Sequence, residues 1–319
     1  MEHYGDMTFA TKKELYKFLS TNRDKLIAQK KAVIKHADCP VIVKPVFVID
    51  PARKAANKAA DTAIELVKQD SIKVVCVINT TNFLDSHNDL HIPGLWNRSL
   101  SQNKMIMHLQ EHNMKFDKVI ADGEQLKAYV KPFKWSELGY SYEGETEALV
   151  FESEILRKRN EYMFEQYANG WVKNHSVGMY YVKMDFAIND EEWPNEYDAW
   201  NKYYPVIANK EAADERGYFW YVTEAKCVEG SAVPIGSNAC TPTIDLIKNA
   251  VKCDCGNEFD YNSVPEAGMG YVNCPKCQKP VTQKTNDDPP KGTHNNSDPD
   301  NSTQKKIDYK YLIENLKKN

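Results

Sequence analysis

Between residue 79 and about residue 248 the chain is a succession of short strand-like segments broken by one clear helix. That pattern constrains the fold more than any other feature. The segments are Lys118–Ile120, Leu126–Phe133, Ala148–Glu152, Val177–Val182 and Tyr218–Val222. The helix is predicted from about Glu154 to Ala168, with Leu156, Met163, Phe164 and Tyr167 on one face and Asn169-Gly170 as its stop. Regular alternation of strand and helix is missing, so a doubly wound parallel sheet is excluded. An α+β fold around a closed or half-closed sheet is expected instead.

The flanks differ from this core. Residues 1–36 carry eight Lys/Arg against four Asp/Glu. Thr11 and Glu14 stand at capping-box spacing, followed by Leu15, Phe18 and Leu19, so a helix is predicted from near Thr11. Val41–Ile49 reads as an edge strand interrupted by Pro45, and Pro51 opens an Ala-rich helix with Ala56, Ala60, Ala63 and Val67 on one face. Ile72–Ile78 reads as a buried strand. Residues 185–216 form an acidic insertion with nine acidic and three basic residues, interleaved with Trp193, Tyr197, Trp200, Tyr203 and Tyr204. Its aromatics are expected to pack on the sheet. Its charge also suits a basic partner such as the N-terminal helix of this or another chain. Residues 283–305 are polar and read as a disordered linker. Beyond them, Tyr309, Leu312, Ile313 and Leu316 recover helical spacing over a short amphipathic stretch, 306–319, suited to docking or to a frayed end. The organisation expected is an α/β extension over 1–78, a catalytic-type domain over 79–248, a metal module over 249–282, the linker and the terminal helix.

Four of the eight cysteines lie together: Cys253-Asp-Cys255-Gly, then Cys274-Pro-Lys-Cys277. Thiolates from two tight turns can close tetrahedrally on one Zn2+, and a module this small owes most of its folding free energy to the metal. A structural zinc ribbon is expected, with two disulfides as the alternative. Cys39, Cys76, Cys227 and Cys240 sit in apolar or strand-like surroundings and read as inert thiols. The formal charge is -4, from 41 basic and 45 acidic residues, which offers no basic coat for nucleic acid. No run of 18 apolar residues suggests a membrane span, and the first residues lack the order of a secretory signal. A soluble intracellular protein is the expectation.

Four separated segments carry the functional signal. They are NTTNFLDSHNDLHIPGLWNRSL at 79–100, LQEHN at 109–113, GWVKNHSVGMYY at 170–181 and VEGSAVPIGSNA at 228–239. In this order they resemble the prohead (capsid maturation) serine proteases of tailed bacteriophages, relatives of the herpesvirus assemblins. In that family an acidic turn precedes a Pro-Gly segment and a Gln-His-like tetrapeptide carries the general base. A Ser-Ile-Gly strand bears the nucleophile, and a Glu-x-Ser-x-Val-Pro strand follows. The resemblance covers about half the chain and rests on the order of the segments, since no single motif is specific.

The resemblance implies a small, mostly antiparallel β-barrel flanked by helices. It makes Ser176 the nucleophile, His112 the general base and Glu229 the orienting carboxylate, with Asp85, Asp89 and Glu224 in reserve. An imidazole with its ordinary pKa near 6.5 suits the proton transfer that a serine hydroxyl needs. His175 adjoins Ser176 on a strand and so points to the opposite face. His108 shares a face with His112 whether the segment is helix or strand, and only the Gln110-Glu111-His112 context separates them. His87 and His91 read as exposed residues of the acidic turn. The substrates implied are capsid and scaffold proteins, and the chain itself, inside the immature head in the host cytoplasm, with the enzyme a homo-oligomer. Three other readings stand beside it. They are a non-enzymatic head protein docking through its ribbon and terminal helix, a zinc-dependent nucleic-acid binder, and a metallohydrolase using His87, Asp89 and His91.

Overall fold

Thr11 caps the first helix as its spacing predicts. Its Oγ1 accepts the Glu14 N–H at 3.2 Å, and the Glu14 carboxylate accepts the Ala10 N–H at 2.8 Å. In this computed structural model the described residues are 2–34, 70–103, 105–247, 250–261, 264, 266–268 and 271–282. The predicted strand at 41–49, the helix from Pro51, Cys39, the polar stretch 283–305 and the terminal helix lie outside them. Contacts group residues 1–283 into one unit and 284–319 into a second, which lies wholly outside the described residues.

A hairpin of β1 (Glu2–Tyr4) and β2 (Met7–Phe9) leads into α1 (Lys12–Thr21) and α2 (Arg23–Lys31). Among the described residues, nine strands and four helices then follow in the order β3 (Ser71–Thr80), β4 (Asp89–His91), α3 (Asn97–Gln102), β5 (Met107–Gln110) and β6 (Val119–Asp122), then β7 (Leu126–Lys134), β8 (Glu145–Leu156), α4 (Glu161–Ala168) and β9 (Asn174–Ile188). Helices α5 (Pro194–Tyr203) and α6 (Lys210–Arg216) precede β10 (Tyr218–Val233), and the near-terminal strand of this region is β11 (Thr243–Ile247). The fold is mixed α+β.

The strands form two main sheets and no closed barrel among the described residues. One sheet runs β4-β10-β5-β6 with β9 on the other side of β10, and the other runs β11-β3-β8-β7. Strands β4 and β5 are both short and lie parallel to β10, one after the other along the same edge. Alternation along a strand reports which face is buried, but not whether the sheet edges meet, and closure was therefore beyond the reach of the pattern. The sheets pack on each other through Cys76, Ile78 and Phe151 on one side and Val177, Met179 and Trp220 on the other. Gly230 of β10 lies at this contact. A Cβ there would fall 2.5 Å from the Phe151 ring and 2.8 Å from Ile78, so the strand approaches closely only with glycine.

Three boundaries differ from expectation. Strand β3 lies between β11 and β8 at the centre of its sheet, so a division between residues 78 and 79 cuts through a core strand. The helix predicted from Glu154 starts at Glu161, because β8 continues to Leu156 in pairing with β3 and Asn160 supplies the cap. Strand β9 extends to Ile188, which shortens the acidic excursion at its N-terminal end, while β10 starts at Tyr218, just beyond its expected C-terminal end.

That excursion is covered by the chain's own N-terminal helices. Lys13 pairs with Glu192 and Arg23 with Asp185, while Lys12 Nζ donates to the Glu215 carbonyl at 2.7 Å. The Tyr16 ring meets Trp193 edge-on with centroids 5.5 Å apart. The other aromatics pack on the sheet: Trp200 lies 5.1 Å from Phe219 and Tyr203 lies 4.7 Å from Tyr221.

Candidate functional site

The antiparallel pairing of β9 and β10 builds the site. Ser176 lies opposite Ser231, and Gly178 lies opposite Glu229. Cross-strand partners share a face, as do residues two apart, so all four positions lie on one face of this ribbon. That face is opposite the one on which Gly230 meets the core. The Glu229 carboxylate occupies the space over Gly178: a Cβ there would lie 2.0 Å from Glu229 Oε1. The glycine of Ser-x-Gly is therefore the clearance for the glutamate of Glu-x-Ser. Glu229 and Ser231 are fully buried and Ser176 is 2% exposed. Ser176 Oγ makes no hydrogen bond among the described residues, which leaves its proton and lone pairs uncommitted.

His112 arrives from the far side of β10. Strand β5 runs parallel to β10, pairing Gly230 with His108 and Ala232 with Gln110, and ends at Gln110. Glu111 and His112 then both take positive φ, 52° and 55°, and Asn113 N–H returns to the Gln110 carbonyl at 3.0 Å. This is the arrangement of a type I′ turn, built here without glycine. Non-glycine residues in this region cost about 1–3 kcal/mol each and persist only where surroundings hold them. The turn delivers the His112 ring to Glu229, with Nδ1 to Oε1 at 2.6 Å. Nδ1 donates to the carboxylate, and Nε2 is then the nitrogen able to take a proton. A carboxylate–imidazole pair thus lies on the sheet face that carries Ser176.

The remaining histidines sort cleanly. His108 and His175 lie on the core face and meet through the Tyr167 hydroxyl, at 3.0 and 2.9 Å from their Nε2 atoms. His175 Nδ1 donates to the Thr241 carbonyl at 3.0 Å, so its Nε2 accepts from Tyr167. The hydroxyl oxygen then accepts from His108 Nε2, and His108 Nδ1 accepts from Ser153 at 2.9 Å. These partners assign both tautomers. Cys76 Sγ completes the cluster at 3.9 Å from the same hydroxyl. Three metal-ligating side chains converge here, but the Tyr167 hydroxyl stands between them and closes a neutral hydrogen-bond network. Burial lowers both histidines, His175 to about 4 and His108 well below its ordinary value, with His108 lowered further by its neighbour His175.

His91 was expected at the surface and is instead 2% exposed in β4, bonded to Asn79 at 2.9 Å, with burial lowering it to about 4. Its burial follows from the pairing of β4 with β10, a contact between residues 131 apart in the chain. His87 is exposed. Among the described residues His87, Asp89 and His91 do not converge as a ligand set. The reserve carboxylates are engaged elsewhere. Buried Asp89 pairs with Lys30 and accepts from the Tyr181 hydroxyl at 2.8 Å. Asp85 accepts the N–H groups of His87 and Asp89, both at 2.9 Å, and burial beside Asp89 raises it to about 7. Glu224 binds Arg98 at 3.0 Å and Lys183 at 2.7 Å. Of the four candidates, Glu229 is the one that meets His112.

The second candidate site is the cysteine cluster. Short hairpins over 250–260 and 266–282 bring Cys253 Sγ to 3.4 Å from Cys277 Sγ, and Cys255 Sγ to 3.7 Å from Cys274 Sγ. A disulfide requires about 2.05 Å, so neither pair is bonded. Four sulfurs at about 2.3 Å from one ion stand roughly 3.8 Å apart, and this set therefore fits a tetrahedral metal ion. Cys76, Cys227 and Cys240 are buried free thiols, each raised by burial. No helix among the described residues is long and apolar enough to cross a membrane.

Sequence reasoning singled out Ser176, His112 and Glu229 but missed the roles of Ser231, Gly178 and Tyr167. One signal was present: Ser176-x-Gly178 and Glu229-x-Ser231 have equal spacing and reversed order, as antiparallel partners must. No family model matches the chain, and no curated protein or solved structure matches it either.

Proposed function

We propose that the chain is a serine endopeptidase of the prohead-protease type, acting on capsid and scaffold proteins inside the immature phage head. The observation that carries this reading is the His112–Glu229 bond, to a fully buried carboxylate, on the sheet face that holds the unbonded Ser176 hydroxyl. In the reaction, His112 Nε2 closes on Ser176 Oγ, to which it makes no hydrogen bond at rest, and takes its proton as Oγ attacks a peptide carbonyl. His112 then gives that proton to the leaving amine as the C–N bond breaks, and water resolves the acyl-enzyme by the same relay. Glu229 holds the Nδ1–H tautomer and favours the imidazolium that forms. The order of the four segments supports the phage assignment. Ser176 is 2% exposed, so a substrate reaches Oγ only after the side chains above it shift.

The four thiols hold Zn2+ in this reading, in a structural ribbon that contributes folding free energy to residues 250–282 and takes no part in the chemistry. The polar stretch 283–305 is an internal cleavage target. Full-length protein is expected to shorten on expression while Ser176→Ala stays intact, as followed by intact mass. Equal processing of the two would overturn the assignment.

The burial of Ser176 favours one second reading, a protease-like head protein without activity. It predicts that Ser176 does not react with a fluorophosphonate probe, whereas the enzyme reading expects labelling that disappears in His112→Ala.

A further inference from the structure

We infer that Ser231 is a positioning residue that sets the geometry of the general base, an inference that rests on the proposed serine-hydrolase reading. Its hydroxyl is used twice. Oγ accepts the main-chain N–H of His112 at 3.0 Å and donates to Glu229 Oε2 at 2.6 Å. Glu229 Oε1 meets His112 Nδ1 at 2.6 Å. The three residues therefore close a ring in which both the backbone and the side chain of His112 are tied to one strand. Ser231 and Glu229 are both fully buried, so bulk solvent does not reach this ring.

The need for such a tie comes from the turn. His112 sits at positive φ without glycine, on a connection that follows strand β5 rather than within the sheet. Its neighbour Glu111 is anchored to the Ala232 carbonyl at 3.0 Å, but His112's own N–H has Ser231 as its acceptor. Ser231 also lies directly opposite Ser176 in the ladder. One side chain on β10 thus references the base, its carboxylate and the strand of the nucleophile to each other. Ser231 touches no reacting atom and acts through His112 and Glu229.

The experiment compares wild type, Ser231→Ala and Ser231→Cys for two readouts. The first is the proton resonance of the short His112–Glu229 bond, far downfield of the amide envelope and assigned by its loss in Glu229→Ala and His112→Ala. The second is the rate of fluorophosphonate labelling at Ser176. In folded Ser231→Ala the resonance is expected to vanish into exchange and labelling to slow about 100-fold, the size of effect that a misplaced catalytic group produces. Ser231→Cys, nearly isosteric but a weak donor, is expected to behave likewise and serves where the alanine variant does not fold. A folded variant that keeps both the resonance and the wild-type labelling rate overturns the inference. If wild type itself does not label, the hydrolase reading fails, and the resonance still decides whether Ser231 orders His112.

Discussion

Adding one methyl group at Gly178 is expected to dismantle the His112–Glu229 pair. A Cβ there lies 2.0 Å from Glu229 Oε1, 2.9 Å from Cδ and 3.1 Å from Cγ, so the carboxylate must leave. It cannot swing aside freely, because Oε1 is held by His112 and Oε2 by Ser231, each at 2.6 Å. Hydrogen bonds to charged groups contribute about 1.5–3 kcal/mol each. Losing both sets the cost of Gly178→Ala at roughly 3–6 kcal/mol, unless the β9–β10 ribbon yields instead, at about 1–3 kcal/mol for overpacking. Glu229→Ala removes the same two bonds and vacates the space over Gly178. In that background the three atoms nearest the added methyl, all of Glu229, are gone, and Gly178→Ala is expected to cost far less than in the wild type. The assay is equilibrium unfolding in urea for the two single variants and the double, read as midpoint shifts at constant m. A coupling of about 3 kcal/mol is expected. Additivity within about 0.5 kcal/mol, the behaviour of independent sites, would refute the argument that Gly178 exists to clear the carboxylate.

Acid is expected to unfold the protein over an unusual window. His91 and His175 are lowered to about 4 and His108 well below its ordinary value, all chiefly by burial, so the unfolded chain binds three more protons than the folded one as pH falls from 6.5 towards 4. Asp85, raised to about 7, already holds a proton in the folded state across this range while the unfolded carboxyl is ionised, which offsets one of the three. The net of two protons predicts a stability loss of about 3 kcal/mol per pH unit, measurable by urea midpoints between pH 6 and 4.5. A flat or rising profile there would contradict the buried neutral histidines. Stripping metal with a chelator, or Cys274→Ser, is expected to release one ion per chain and expose residues 250–282 to protease while the two main sheets persist. Unchanged protection in metal-free protein would show that the four thiols are not ligands.

Local signals were legible in the chain, and long-range ones were legible only where two motifs happened to report on each other. The Thr11–Glu14 cap, the core strands, the turn at Asn169-Gly170 and the clustering of Cys253, Cys255, Cys274 and Cys277 all follow from spacing over a few residues. Side-chain alternation placed His175 away from Ser176, and its bonds to Tyr167 and Thr241 agree with that. The same reasoning could not separate His108 from His112, because the difference is a turn with two positive φ values that no periodicity encodes. The helix starts at Glu161 rather than Glu154 because pairing of residues 154–156 with β3 outweighs the apolar spacing that suggests a helix there.

The amino-acid sequence alone determined the mixed α+β class, the four-thiol module and the residue types available for chemistry, since each depends on composition or on neighbours along the chain. Tertiary structure decided which of four carboxylates meets His112, that two sheets stack without closing, and that basic N-terminal helices cover the acidic excursion. Those outcomes depend on pairings such as Gly178 with Glu229 and Arg23 with Asp185, whose partners lie from about 50 to 160 residues apart. Such pairings are selected by packing and by charge burial across the whole fold, and neither quantity exists until the strands have met.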